Sequence, residues 1–190
     1  MDVLVTRYIG IKGTAHIARF KYDELLKRYP AWFVDEAAAF DNDIPVNIDI
    51  PEISISLSNG ALYAKEYTEF GVLEALFQAA KGLKCGLRIN IKDIPIMQET
   101  VEMCEFAHAN PYELYSGYSA VIITEDGKKL KTLLEDNDIP AYIVGYTTKD
   151  NDKIIINEDE ESFIPHVRKD ELKNVLGRRE YYERTNFSDT

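Results

Sequence analysis

The chain has 190 residues, a length that suits one large domain or two small ones. Its 33 acidic residues outnumber its 22 lysines and arginines, and the net charge of −11, with no basic stripe along the chain, argues against nucleic acid as a partner. No apolar run approaches the roughly 18 residues of a membrane span, and the N-terminus lacks the features of a signal peptide, so we expect a cytoplasmic protein that does not bind a membrane.

The N-terminal part of the chain predicts one strand followed by two helices. VLVTRYIG, which begins at Val3, has the composition of a strand. GTAHIARFKYDELLKRYP has apolar residues at helical spacing and ends at Pro30, and a second helix is predicted from about Ala31 to Phe40.

Residues 44–56 predict further strands. IPVNIDIPEISIS alternates isoleucine or valine with polar residues, which is the period of a half-buried strand. Pro45 and Pro51 confine such strands to an edge or a break. Asn59 and Gly60 then predict a turn before a short strand.

The segment AKEYTEFGVLEALFQAAKG, residues 64–82, combines a strand end, a turn and an amphipathic helix. The apolar positions from Val72 to Ala80 fall on one helical face. Thr68 is the expected N-cap residue, and Gly82 lies where a C-terminal cap is expected.

Two interpretations of the turn at Glu66–Gly71 follow from its residues. Unpaired amides and the helix dipole at a strand-to-helix turn favour an anion, so a phosphate could bind there, with Mg²⁺ between it and the carboxylates of Glu66 and Glu69. Thr68 as an ordinary N-cap, with Glu69 complementing the dipole, explains the same residues without a ligand. Taken alone, the residues favour the cap.

The C-terminal half continues to mix strands and helices. The segments CGLRINI, QETVEMCEFAHAN, YSAVIIT, KKLKTLLEDND, PAYIVGYTT and DKIIIN predict strand, helix, strand, helix, strand and strand in that order. An acidic loop is predicted at Glu158–Ser162, and the last 22 residues predict one short helix and a charged tail. This mixture indicates an α+β or α/β fold.

Two other turns are weaker candidates for a site. NPYELYSGYS, residues 110–119, places polar and aromatic groups before a strand, where a loop could face a cleft, although an Asn-Pro helix stop followed by surface aromatics is the interpretation that the residues favour. IGIKGTA, residues 9–15, is a glycine-containing turn without the GxxxxGK[ST] spacing, so it is weak as an ATP motif.

The cysteines and histidines predict neither a disulfide nor a metal site. Cys85 and Cys104 lie in periodic segments and form no CxxC pair, so we expect reduced, buried thiols. His16, His108 and His166 are far apart, and none lies in an HExxH or CxxC context.

The order of these segments resembles a known family. RYIGIKGTAHIAR, AKEYTEFGVLEAL, INIKDIPIMQETVEMCEFAHANPYELYSGYSAVI and IPAYIVGYTT together resemble the C-terminal domain of aminoimidazole ribonucleotide (AIR) synthase-related proteins, and the hydrogenase maturation factor branch above all. The resemblance runs from about Val3 to Leu176. It implies an α+β fold, a mixed sheet with helices packed on it, over residues 1–178, and leaves residues 179–190 as a charged tail that we expect to be poorly ordered.

The resemblance also implies a site. Family members have an N-terminal domain that carries most ATP and Mg²⁺ ligands and makes the dimer, and a C-terminal domain that closes the cleft. Their turn reads Asp-x-Thr-x-Gly-Gly, so Glu66, Thr68 and Gly71 match its phosphate-facing positions, whereas Phe70 replaces the first glycine. Asn110, Ser116 and Tyr118 are further cleft candidates, with Tyr118 where the family has a small residue.

Three functions therefore remain open. The resemblance implies the C-terminal half of a protein that uses ATP and Mg²⁺ to activate an amide or carbamoyl oxygen, a half that alone binds no cofactor, is inactive, and partners a missing N-terminal domain or forms a homodimer. The second function is a non-catalytic binding or assembly module whose phosphate site Glu66, Phe70 and Tyr118 have degraded. The third is a small-molecule pocket lined by some of the 12 tyrosines.

Overall fold

Seven strands form one sheet in the computed structural model, which describes residues 1–42, 44, 50–67, 70–167 and 171–176. The strands are β1 (Asp2–Thr6), β2 (Tyr63–Glu66), β3 (Gly86–Asn90), β4 (Ala120–Thr124), β5 (Ala141–Thr148), β6 (Lys153–Asn157) and β7 (Glu160–Phe163). Their order across the sheet is β2-β4-β1-β5-β3-β6-β7. All neighbours are antiparallel except β3 and β6, which are parallel.

Helices pack on both faces of this sheet. The helices are α1 (Ile11–Phe20), α2 (Tyr22–Leu25), α3 (Ala31–Ala38), α4 (Pro51–Ser58), α5 (Gly71–Leu83), α6 (Gln98–Ala107), α7 (Gly127–Glu135) and α8 (Glu171–Leu176). This architecture confirms the predicted α+β class. No helix in the described part of the chain combines the length and apolar character needed to cross a bilayer.

Strand β4, between β2 and β1, shows why the sheet needs cover on both faces, because all five of its residues are buried. Val121 and Ile123 belong to the core under α5, whereas Ala120 and Ile122 belong to the core under α4 and α7. Successive side chains of a strand point to opposite faces, so an uninterrupted apolar run requires two apolar layers. A third apolar cluster joins α1, α3, α6 and α8 beside the sheet.

The strand predicted around Ile53 and Ile55 is wrong, because Pro51–Ser58 forms α4. Proline at the first helical position is pre-organised for a helix and loses no hydrogen bond there. Glu52 and Ser56, four residues apart on one helical face, are fully buried. Residues 45–49 of the same prediction lie outside the described residues.

Two other boundaries differ from the predictions. Gly82 lies inside α5, which ends at Leu83 and is followed by Lys84 in the left-handed conformation, with φ of 53°. The segment predicted as an acidic loop is the edge strand β7, which pairs with β6. Charged residues on an edge strand oppose pairing with a second sheet. The tail predicted at 179–190 lies outside the described residues.

The start of α5 is fixed by a close backbone approach. Gly71, its first residue, has φ of 73°, and a Cβ built there would lie 2.6 Å from the carbonyl oxygen of Tyr112 and 2.8 Å from the Cα of Glu113. Only glycine provides both the left-handed conformation and the space. Residue 71 therefore joins the predicted turn to the loop before β4.

Replacement of Gly71 tests this contact, and Gly60 is a matched control. Gly60 also has a positive φ, of 88°, but a Cβ there would have no atom within 4 Å. Gly60→Ala should lower the free energy of unfolding by about 1 kcal/mol, the cost of the left-handed conformation. Gly71→Ala should lower it by about 2–4 kcal/mol, because backbone must also move. Urea unfolding followed by circular dichroism measures both values, and equal losses would contradict the contact.

Both cysteines are free and buried, as predicted. Burial raises the pKa of the Cys104 thiol to about 12, and the nearby charge of Glu171 adds to the shift. Burial also raises the pKa of Cys85, with Lys153 opposing the shift. A raised thiol pKa keeps the unreactive neutral form dominant at pH 8.

We therefore expect native protein to resist Ellman's reagent at pH 8, with Cys104 the slower of the two thiols. Both should react within minutes in denaturant. The raised folded pKa also means that the stability from Cys104 is present below the unfolded thiol pKa of about 8.5 and is lost as the pH rises towards the folded value. Cys104→Ala is the control that identifies the slow thiol. Two fast native thiols would contradict this account.

Candidate functional site

One edge of the sheet carries several of the predicted site residues. Because β2, β4, β1 and β5 are antiparallel neighbours, β1 and β2 end at the edge where β4 and β5 begin. The register pairs Glu66 with Ala120, and Thr6 with Ala141. Residues 7–8, 66–67, 117–119 and 140 therefore lie side by side, and we call them the site edge.

Backbone hydrogen bonds extend the pairing beyond the strands. The amide of Tyr67 donates to the carbonyl of Ser119 at 2.9 Å, and the amide of Arg7 donates to the carbonyl of Pro140 at 2.8 Å. The residues that follow β1 and β2 are thus held to neighbouring segments by the same kind of hydrogen bond as the strands.

The described part of the turn after β2 presents one exposed acid. Glu66 is the last residue of β2 and is exposed, whereas Tyr67 is buried. Phe70 occupies the N-cap position of α5, so the helix begins later than a Thr68 cap would require, and Thr68 itself lies outside the described residues. Phe70 has an unstrained φ of −87° and packs against the core. The residue with a positive φ at this helix start is Gly71.

The loop at 110–119 uses two of its predicted cleft residues internally. The Asn110 side chain accepts a hydrogen bond from the Tyr112 amide at 3.1 Å and donates one to Glu113 at 2.8 Å. Ser116 is buried, and its hydroxyl accepts a hydrogen bond from the Gly10 amide at 2.8 Å. Both side chains therefore hold the loop in place.

The glycine-containing turn before α1 donates its amides to the same loop. Lys12 and Gly13 donate backbone hydrogen bonds to the carbonyls of Ser116 and Tyr115, at 3.2 Å and 2.8 Å. A phosphate-binding helix start needs free amides. Because these amides are already bonded, the structure agrees with the sequence that this turn is a weak ATP motif.

Glu74, the acid in the first turn of α5, is also engaged in contacts within the fold. Glu74 is buried, and its Oε2 atom accepts from the Val167 amide at 2.9 Å and lies 2.9 Å from His166 Nδ1. The His166 ring stacks on Phe77. Glu74 therefore ties the segment that follows β7 to α5 and is not available to a ligand.

Tyr118 lies at the site edge in an unusual conformation. Its φ is 51°, and the guanidinium carbon of Arg7, which has φ of 57°, lies 4.5 Å from the centroid of its ring. Arg7 Nε donates to Glu52 Oε1 at 3.1 Å, and the Thr6 hydroxyl donates to the same oxygen at 3.0 Å. A completely buried carboxylate thus holds the arginine from behind.

Sequence reasoning missed Arg7 and Glu52. The two residues are 45 positions apart, and Glu52 was placed in a predicted strand rather than in α4. Pro51 followed directly by an acid, in PEISISLS, is the signal of a helix start that would have moved Glu52 into the right element.

The site edge therefore combines an exposed acid at Glu66 with a cation at Arg7, two strands away. Within the described ranges, no three His, Cys, Asp or Glu side chains are grouped as metal ligands. A magnesium ion at Glu66 would therefore complete its shell with waters, phosphate oxygens or residues outside these ranges.

Comparison with known proteins identifies this arrangement of elements. The family model for the C-terminal domain of AIR synthase related proteins matches residues 3–157. No curated protein matches the sequence.

Three solved structures are similar in fold. HypE of E. coli, a hydrogenase maturation protein, has a TM-score of 0.61 and 14% identity, and the alignment covers 89% of this chain and 50% of that one. HypE in complex with ATP has a TM-score of 0.61, 10% identity, and coverage of 90% and 52%. Thiamine-monophosphate kinase from Stenotrophomonas maltophilia has a TM-score of 0.59, 16% identity, and coverage of 85% and 51%.

The chain thus spans about half the length of these proteins, and at such identities the likeness shows the fold alone. The family match covers most of the sequence. The chain therefore belongs to the AIR synthase related proteins, as their C-terminal domain.

Proposed function

We propose that this chain is the cleft-closing C-terminal half of a two-domain protein that uses ATP to activate an amide or carbamoyl oxygen. The family match over residues 3–157 carries the proposal. Two of the similar structures, a HypE bound to ATP and a kinase, concern proteins that handle ATP or transfer phosphate. The half-length coverage fits a partner domain that precedes this half.

In the proposed reaction, the substrate oxygen attacks the γ-phosphorus of ATP, the bond to the β–γ bridging oxygen breaks, and ADP leaves. The amide nitrogen then gives up a proton and forms a further bond to the same carbon, while the carbon–oxygen bond breaks with inorganic phosphate as the leaving group. Such reactions depend on positioning and on offsetting phosphate charge. The intact protein supplies most of that charge through its other half.

In this proposal, the C-terminal half positions the reactants and supplies little of the charge that offsets the phosphate. Glu66 is its exposed acid at the turn, and an isolated carboxylate repels a phosphate unless a metal lies between them. Asn110, Ser116 and Glu74 are engaged in the fold. We therefore infer that the isolated chain binds no nucleotide and is inactive. A homodimer stays a prediction.

A second function, a non-catalytic binding or assembly module, rests on Tyr118. Its ring occupies the position where the resemblance places a small residue, and Arg7 stacks on it. Phe70 no longer favours this function, because its backbone is unstrained and its ring packs inward. Nucleotide binding separates the two functions.

The first experiment is a calorimetric titration of MgATP into the chain alone, and into the chain mixed with an N-terminal domain from the same organism. We expect heat only when both halves are present. No binding in either setting would overturn the ATP proposal and leave the binding module.

A charge-neutral variant refines this test. Glu66→Gln should weaken MgATP binding to the mixture by about tenfold, the value of one charge-assisted contact. Glu36→Gln removes the same charge from an exposed position on α3 and is the matched control. Equal affinities for the two variants would show that Glu66 takes no part in nucleotide binding.

A further inference from the structure

A small pocket of about 270 Å³ opens at the site edge beside Arg7. Its lining includes Arg7, Tyr8, Ile11, Tyr118, Ser119 and Pro140. One wall is therefore cationic, and the others are mostly aromatic or aliphatic, with Ser119 as a small polar residue. Binding pockets for drug-sized ligands run from about 300 to 1,000 Å³, so this one suits a single ring with a polar head rather than a nucleoside triphosphate.

The Arg7 side chain is held through its Nε atom, which leaves its outer end available to bind a ligand. Its Nε donates to the buried Glu52, and the flat guanidinium lies over the Tyr118 ring. The two Nη groups have no hydrogen-bond partner within the part of the chain that the structure describes. A fixed guanidinium with two free donors is the arrangement that binds carboxylate or phosphate in bidentate fashion.

The backbone is strained at both members of this pair. Arg7 and Tyr118, with φ of 57° and 51°, are both in the left-handed region without being glycine. Such residues persist only where their surroundings hold them, and they cluster at ligand sites. Here the holding groups are the Pro140 carbonyl, which accepts from the Arg7 amide, and the carboxylate of Glu52.

We propose that this pocket binds a small organic anion, a carboxylate or phosphate monoester carried on a flat apolar or aromatic body. Arg7 binds the head, while Tyr8, Ile11 and Pro140 contact the body. In a chain with a net charge of −11, the fixed cation gives an anion a local partner against the overall negative field. The proposal requires neither ATP nor a second domain, so it stands apart from the function proposed above.

The test is a titration of the ¹⁵N-labelled chain, followed by amide chemical shifts. Benzoate and phenyl phosphate are the two probes, and benzamide is the neutral control of the same shape. Ligands of this size are expected to bind with a Kd of roughly 1 mM. The amides of Tyr8 and Ser119 should shift with either anion, and the tighter anion identifies the preferred head.

Benzamide should bind at least about tenfold more weakly, because it offers no charge to Arg7. The proposal is overturned if neither anion shifts these amides at concentrations of about ten times that Kd, if benzamide equals benzoate, or if the shifts map to another surface.

Variants at the pair complete the test. Arg7→Gln alone leaves Glu52 buried without its cation, so the double variant Arg7→Gln/Glu52→Gln removes both charges together. It should melt as one cooperative unit and lose at least about tenfold in anion affinity. Arg88→Gln, at a half-buried arginine on β3 paired with Glu161, is the matched control and should bind as the wild type does.

Arg7→Lys covers the case in which the double variant does not fold, because it keeps the charge beside Glu52. Lysine cannot offer the bidentate fork, so affinity should fall while the thermal melt stays close to that of the wild type. Wild-type affinity in a folded Arg7→Lys protein, or in a folded double variant, would sink the proposal.

Discussion

The loop between α6 and β4 is the constraint on which the site edge depends, because two other turns are built against it. Backbone amides before and at the start of α1 donate to its carbonyls and to the Ser116 hydroxyl. The first residue of α5 lies so close to its backbone that only glycine fits. The loop therefore sets where α1 and α5 begin, and both helix starts lose some of their freedom to bind a phosphate.

The buried carboxylate of Glu52, on α4, is the second feature on which the site edge depends. Moving a carboxylate out of water costs several kcal/mol, and one arginine with one hydroxyl offsets only part of that cost. Glu52 Oε2 has no hydrogen-bond partner among the described residues. The buried Tyr67 hydroxyl has none among them either. An apolar residue at position 52 would be the less costly choice for stability alone. What Glu52 provides is a fixed Arg7.

The sequence predicted elements well where one period dominated. Residues 72–80 show helical spacing, and the core-facing strand β4 is an unbroken apolar run, so α5 and β4 appear where expected. The same reasoning failed at 51–58, because isoleucines at every second position imitate a strand while the proline and the buried Glu52 belong to a helix. A local pattern of apolar residues does not predict the burial of a polar residue whose partner lies 45 positions away.

The candidate site was predictable in part. The residues themselves singled out the turn at Glu66–Gly71 and the loop at 110–119, the resemblance implied that both face a cleft, and the structure brings the two together through Gly71. Which side chains face outward could not be derived, because Asn110 and Ser116 carry the same polar groups whether they bind a ligand or hold a loop. The left-handed conformations of Arg7 and Tyr118 also leave no local signature, since glycine is the residue that usually marks them.

The spacing of strands gives the two proposals a common geometry. Glu66 ends β2 and Arg7 follows β1, and only β4 separates these strands, so the two residues lie roughly 10 Å apart across the sheet. A nucleotide bound through a metal near Glu66 and an organic anion on Arg7 would then meet over Ser119. Phosphoryl transfer needs donor and acceptor in line and in contact. Should both proposals hold, their ligands would lie close enough on this edge for such a transfer.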